Sequence, residues 1–290
     1  MKKFACALSL LSGIGAAWSQ PVAPYALPDT HVHVLQAKEL KREYELFVSL
    51  PLSYNHSSRR YPVVFVADAP YAFPLVRAIS KRVGDTGKGL DEFMIVGLGY
   101  AKGDTANYGR RRDYTPSATS ETGLASDMPG RPLLFGEAER FRRYIAAEVF
   151  PFIAKNYRAD MGRKVFIGHS YGSLLGLQAL FTEPEMFDTY ILGSPSLWYG
   201  KRVMFEREKA YAASHKDLKA RVYLGVGSLE GARPGEDDMV GDMQQFAKLL
   251  ASRHYPGLRP DSRVFDGEDH FTVAPSIATR GLKWALPPAK

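Results

Sequence analysis

The chain has 290 residues, 45% hydrophobic and 12% aromatic, enough apolar material for the packed core of one large domain or two small ones. Its formal net charge of +7 falls by two without Lys2 and Lys3, a modest excess that argues against a nucleic-acid partner and slightly favours anionic small ligands. The single cysteine, Cys6, excludes disulfides and cysteine metal centres.

Lys2 and Lys3 precede an apolar run from Phe4 to Ala17, and Ala17-Trp18-Ser19 offers small residues at both positions a signal peptidase reads. Residues 1–19 are therefore predicted to be a secretory signal and residues 20–290 the mature domain. The run is shorter than the roughly 20 residues that span a bilayer, and no other stretch comes close. The mature protein is expected in the periplasm or outside the cell, without a thiol and stabilised by its core.

After a lead punctuated by Pro21, Pro24 and Pro28, residues 30–35 and 43–50 have strand composition and are expected to pair antiparallel. Residues 62–68 are dense in β-branched and aromatic side chains without alternation, as in a strand covered on both faces at the sheet centre. A helix over 72–83 and a buried strand over 92–98 follow, an order that implies parallel pairing through a right-handed crossover. Residues 101–132 are rich in Gly, Ser, Thr, Pro and charge, show no hydrophobic period, and are expected to leave the core as a loop or lid. A long helix over about 136–157 carries Phe141, Tyr144, Ile145, Val149 and Phe152 at helical spacings. Strands over 165–167, 190–194, 221–226 and 262–266 come next, with helices near 203–214 and 238–253. Nothing divides the chain, and the pattern predicts one α/β domain: a mostly parallel, doubly wound sheet with helices on both faces.

Between Lys164 and Gly176 the hydrophobic period changes at a serine. Val165, Phe166 and Ile167 suit a buried strand, whereas Leu174, Leu177 and Phe181 share one helical face. Ser170 lies between them in Gly168-His169-Ser170-Tyr171-Gly172. In a G-x-S-x-G turn the serine is held on a strained bend that exposes its hydroxyl, and the glycines let strand and helix approach. The five letters alone are a weak motif; the strand before, the helix after and a late histidine strengthen it.

A serine hydroxyl needs a base to become a nucleophile, and histidine is suited to this near neutral pH. His31, His33, His56, His169, His215 and His254 read as surface or packing residues. His270 differs because it follows the last strand, at the carboxyl edge of the sheet where such a fold delivers its base. The acid should lie between the two in the chain, after the strand ending near Val226. Glu230 is preferred; Glu236, Asp237 and Asp238 also suit helix caps, and a dyad without an acid stays open. A tetrahedral intermediate needs two N–H donors, one from Tyr171 and one from Asp68-Ala69-Pro70-Tyr71, where Pro70 has none and Tyr71 is preferred over Ala69. Arg110, Arg111 and Arg112, flanked by Tyr108 and Tyr114, can stack on rings and bind carboxylates or phenolates, although charge runs are usually solvated.

With these residues in view the chain resembles the esterase D-like family of α/β-hydrolases, and within it the siderophore esterases that cut enterobactin-type trilactones. The likeness covers nearly all the mature chain. It rests on the Ser170 motif, on Arg112-Asp113-Tyr114-Thr115-Pro116, on Ser194-Pro195-Ser196-Leu197-Trp198, on Leu224-Gly225-Val226-Gly227 with Glu230, and on Gly267-Glu268-Asp269-His270. It implies Ser170 as nucleophile, His270 as base and a catecholate-facing arginine among Arg110 to Arg112; Trp198 joins the candidate substrate contacts with Tyr114. The strand-end turn departs from the family in having Ala69 and Pro70, and Ser173 replaces a frequent glycine. The expectation is an exported serine hydrolase that acts on a small ester through an acyl-enzyme. It needs no cofactor or metal and has no nucleic-acid partner and no stable membrane insertion. A general carboxylesterase, a feruloyl-type esterase and an inactive ligand-binding hydrolase fold are the alternatives.

Overall fold

Tyr61-Pro62-Val63-Val64-Phe65-Val66 is buried at every position and forms strand β3 (Tyr61–Val66), which explains its lack of alternation. It lies inside a single eight-stranded sheet in a computed structural model that describes residues 24–118, 124–231 and 237–288. The predicted signal, residues 1–19, and Glu236 lie outside the described residues.

The other strands are β1 (Thr30–Ala37), β2 (Arg42–Ser49), β4 (Met94–Ala101), β5 (Ala159–His169), β6 (Thr189–Gly193), β7 (Ala220–Gly227) and β8 (Leu258–Phe265). Their order is β1-β2-β4-β3-β5-β6-β7-β8. β1, β2 and β4 pair antiparallel, and every pairing from β4 through β3 to β8 is parallel. The expected antiparallel start and parallel centre are both found. Pro62, which cannot donate to the ladder, sits where the β3–β5 register shifts.

The sheet divides two apolar layers. Val64, Val66, Val165, Ile167 and Ile191 pack with helices α1 (Ala69–Arg82) and α8 (Val273–Ala285). Val63, Phe65, Phe166, Leu192 and Leu224 face the opposite layer. There they meet α3 (Ala138–Tyr144), α5 (Tyr171–Thr182), α6 (Tyr199–Ser214) and α7 (Met239–Ser252). The long helix expected over 136–157 is divided: α3 widens into a π turn at Ile145–Val149 and resumes as α4 (Phe150–Asn156), with Pro151 in its first turn. A proline there lacks the N–H that a tight turn would use.

The segment 101–132 corrects the expectation of a bare loop, because it contains α2 (Ala106–Tyr114), whose Tyr108, Arg112, Asp113 and Tyr114 are buried. Arg112 is wholly enclosed; its Nε and Nη2 donate to Asp113 at 2.8 and 2.7 Å, and its Nη1 lies 2.7 Å from Asp104. Tyr44 Oη also donates to Asp113 Oδ2 at 3.0 Å. Polar residues pack here because each charge meets its partner inside, which a hydrophobic period cannot reveal. Arg112→Met should leave two buried carboxylates short of a cation and cost about 3–5 kcal/mol. Arg111→Met should stay within about 0.5 kcal/mol. Urea unfolding of the two variants checks the difference.

Candidate active site

β5 ends at His169 and α5 begins at Tyr171, so Ser170 alone makes the turn, with φ 59° and ψ −119°. Few non-glycine residues adopt this conformation, and here the surroundings impose it. Ser170 N–H donates to Gly193 O at 2.9 Å, and Ser173 N–H donates to Ser170 O at 3.0 Å. A side chain on Gly168 would put its Cβ 2.3 Å from the carbonyl oxygen of Gly172, so the strand and helix can meet only across a glycine. Ser173 fits because its hydroxyl lies 3.0 Å from Gly168 O and 2.7 Å from Gly193 O.

After β7, one 3-10 turn at Ser228–Glu230 folds the Glu230 carboxylate inward. Its Oε1 accepts from Gly227 N–H at 2.8 Å and Ser194 Oγ at 2.7 Å, and its Oε2 lies 2.6 Å from His270 Nδ1. Burial acts to raise the pKa of Glu230, but His270, Ser194 and the Gly227 N–H together hold it below the usual glutamate range. The loop after β8 presents His270 through an Asp turn, in which Asp269 Oδ1 accepts from Phe271 N–H and Thr272 N–H, each at 2.9 Å. The two loops are joined: Leu229 N–H donates to Glu268 O at 3.0 Å, and a Cβ on Gly227 would fall 2.2 Å from that oxygen.

Ser170 and His270 line one cleft of about 350 Å³, together with Tyr71, Tyr100, Arg110 and Phe271. Ser170 Oγ lies 3.2 Å from Ser196 Oγ. His270 and Phe271 separate this cleft from a second recess of about 420 Å³, walled by Trp198, Leu229 and Met239. Behind His270 stands His169, its ring centroid 4.6 Å from that of His270. Burial, and then the neighbouring His270, push the pKa of His169 down to about 3.

The turn after β3 is equally determined. Asp68 is buried with φ 57°, its Oδ1 accepts from Tyr100 Oη at 2.6 Å and lies 2.8 Å from Arg110 Nε, and its N–H donates to Tyr114 Oη at 3.1 Å.

A family model described as "Putative esterase" matches residues 37–273. The chain belongs to this family. It is 31% identical over 271 residues to the ferri-bacillibactin esterase BesA of Bacillus subtilis, covering 91% of this chain and 92% of that one. It is 27% identical over 282 residues to a siderophore triacetylfusarinine C esterase of Aspergillus fumigatus, covering 89% and 94%. Among solved structures it is similar to the BES protein from Bacillus cereus, with TM-score 0.77 and 27% identity over 92% of this chain and 99% of that one.

The esterase fold thus brings together Ser170, His270, Glu230, Tyr71, Arg110 and Trp198, with Arg110 also 5.7 Å over the Tyr171 ring. Two expected substrate contacts are corrected. Arg112 is locked inside with Asp113 and Tyr114 is buried with its hydroxyl on Asp68, whereas Arg111 is only partly buried, with its Nη1 3.5 Å from the carbonyl of Ala125. Tyr71 is corrected as an N–H donor, because its N–H is used in the first turn of α1, donating to Asp68 O at 3.1 Å. Its half-exposed ring nevertheless lines the cleft. Of the alternative acids, Asp238 caps α7 through Gly241 N–H and Asp237 lines the second recess, whereas the carboxylate on His270 is that of Glu230. Tyr100 and Phe271, not among the residues expected from the sequence, also line the cleft; for the latter, an aromatic residue directly after His270 was the available signal. Among the described residues, no helix is long and apolar enough to cross a membrane.

Because its folded pKa is depressed, His169 should stay neutral across neutral and mildly acidic pH and gain a proton only near about 3. An unfolded histidine takes up that proton near 6.5, so this group should lower stability progressively as pH falls from 6.5 towards about 3. Ring ¹⁵N shifts followed through an acid titration test this; a His169 midpoint near 6 would contradict it.

Proposed function

We propose that this esterase is an exported serine hydrolase of ester-bearing siderophores, working through an acyl-enzyme on Ser170. The observation that carries the reading is the 2.6 Å pairing of Glu230 with His270 Nδ1, at a cleft that His270 shares with the strained Ser170. With Nδ1 facing the carboxylate, Nε2 is the nitrogen left to serve the serine. Ser170 Oγ turns from Ser196 towards His270 and attacks the ester carbonyl carbon while Nε2 takes its proton. Such hydrogen bonds are commonly loose in an empty site and tighten around substrate.

The oxyanion is received by the N–H groups of Tyr171, at the start of α5, and of Ala69, at the start of α1. Ala69 takes the place first given to Tyr71 and has Asp68 to fix its orientation. The imidazolium, stabilised by Glu230, then protonates the leaving alcohol, and water activated by the same nitrogen releases the acid. Support for the substrate class comes from the names of the related siderophore esterases and from Arg110, Tyr71 and Phe271 at the cleft, a cation beside two aromatic rings. Support for export is the pair Lys2-Lys3 ahead of the apolar run Phe4 to Ala17, the pattern of a secretory signal.

A fluorophosphonate probe should label wild-type protein and not Ser170→Ala; equal behaviour of the two would sink the serine mechanism. Glu230→Gln should lower kcat by about 10²- to 10⁴-fold, as the loss of a triad acid does, while Asp237→Asn stays near wild type. On ferric and iron-free catecholate trilactones, Arg110→Ala should raise KM more than it does for p-nitrophenyl butyrate, and Arg111→Ala should change neither. Cleavage of the small ester with no turnover of any siderophore ester would make the protein a general carboxylesterase.

A further inference from the structure

The loop after β6 belongs to neither the nucleophile strand nor the acid strand, yet it touches both. β6 lies between β5, which ends at Ser170, and β7, which leads to Glu230. Its loop, Ser194-Pro195-Ser196, therefore enters the site from between the two. Both serines are buried. Ser194 Oγ donates to Glu230 Oε1 at 2.7 Å, and Ser196 Oγ lies 3.2 Å from Ser170 Oγ.

This loop is held in one conformation. Ser194 N–H donates to Gly225 O at 2.7 Å, Leu197 N–H donates to Pro195 O at 2.7 Å, and Ser194 has φ 38°, a conformation serine seldom adopts. Pro195 brings a fixed φ and no N–H that would need a partner. Buried hydroxyls in a stiff, strained loop are costly unless they bond to something, and their partners here are the acid and the nucleophile.

We propose that Ser194 and Ser196 are paired positioning residues, Ser194 fixing the Glu230 carboxylate against His270 and Ser196 fixing the Ser170 hydroxyl between attacks. The inference rests on the serine mechanism above. Ser196 gives the Ser170 hydroxyl a partner when it is not bonded to the base, which keeps its oxygen in the cleft. Ser194 joins the Gly227 N–H on Oε1, so that Oε2 faces Nδ1 and the imidazole keeps one orientation.

The test compares Ser194→Ala, Ser196→Ala and wild type in three measurements: the second-order rate of fluorophosphonate labelling, kcat and KM on p-nitrophenyl butyrate, and the melting temperature. Each variant should lose about tenfold to a hundredfold in labelling rate and kcat, the scale on which misplaced reacting groups act, while KM changes less than about threefold. If an alanine variant melts early, the matching cysteine variant, which retains a weak donor, provides the same comparison. Wild-type labelling and kcat in both folded variants would overturn the proposal. Absence of labelling in wild type would instead overturn the serine mechanism on which it rests, so the two failures are distinct.

Discussion

Strand β5 and helix α5 meet across a gap too narrow for any side chain: a methyl group on Gly168 would lie 2.3 Å from the Gly172 carbonyl. That contact forces the chain to reverse within one residue, and Ser170 takes the resulting φ of 59°. The conformation is costly for serine by itself, of order 1–3 kcal/mol. It persists because the neighbouring strand carries part of the load, through Gly193 O on the Ser170 N–H and on the Ser173 hydroxyl. The fold therefore keeps the Ser170 side chain at the carboxyl edge of the sheet whether or not a ligand is present. Pre-organisation of this kind is what the proposed nucleophilic role of Ser170 would require.

The rest of the site follows from strand order. Because β5, β6, β7 and β8 are adjacent and parallel, the loops leaving their carboxyl ends are neighbours. The joint between the last two loops, Leu229 N–H to Glu268 O, brings Glu230 and His270 into one unit before any side-chain contact is counted. A 40-residue separation in the chain becomes a 2.6 Å hydrogen bond. Helix α2 plays the matching part on the other side of Ser170. Anchored by the buried Arg112–Asp113 pair, it offers Arg110 to Asp68 and Tyr114 to the Asp68 N–H, and so fixes the turn from which α1 starts.

These two sides were unequally legible in the sequence. Central strands such as β3 announce themselves by unbroken β-branched and aromatic runs, and the order serine, acid, histidine follows from the topology of a parallel sheet. Glu230 could be chosen over its neighbours because it follows β7 so closely. Helix α2 could not be read this way, since its inward face includes an arginine and an aspartate that no apolar period marks. Nor could the Tyr71 N–H be assigned, because whether a turn after β3 runs straight into a helix depends on Asp68 adopting a left-handed φ that Tyr100, Arg110 and Tyr114 impose from elsewhere. β8 was under-read for the opposite reason: as an edge strand it is exposed along most of its length and carries little hydrophobic pattern.

The placement of the arginines changes how the proposed substrate would be selected. Three adjacent guanidinium groups on a mobile segment would draw in an anion from a distance and lose that advantage as salt screens them. One guanidinium remains at the cleft, and it is already committed: Arg110 lies 2.8 Å from the Asp68 carboxylate, donates to His169 O at 3.2 Å and sits over the Tyr171 ring. An ion pair of this kind has little far field. Its contribution is directional, through whatever donor capacity Asp68 leaves unused, and its planar face favours stacking as much as charge. Under that proposal selection would fall chiefly on the exposed ring of Tyr71 in the cleft, on Trp198 in the second recess, and on the exposed Phe271 ring that lines both. A ligand with several aromatic arms could engage both sides at once, which a short linear ester could not.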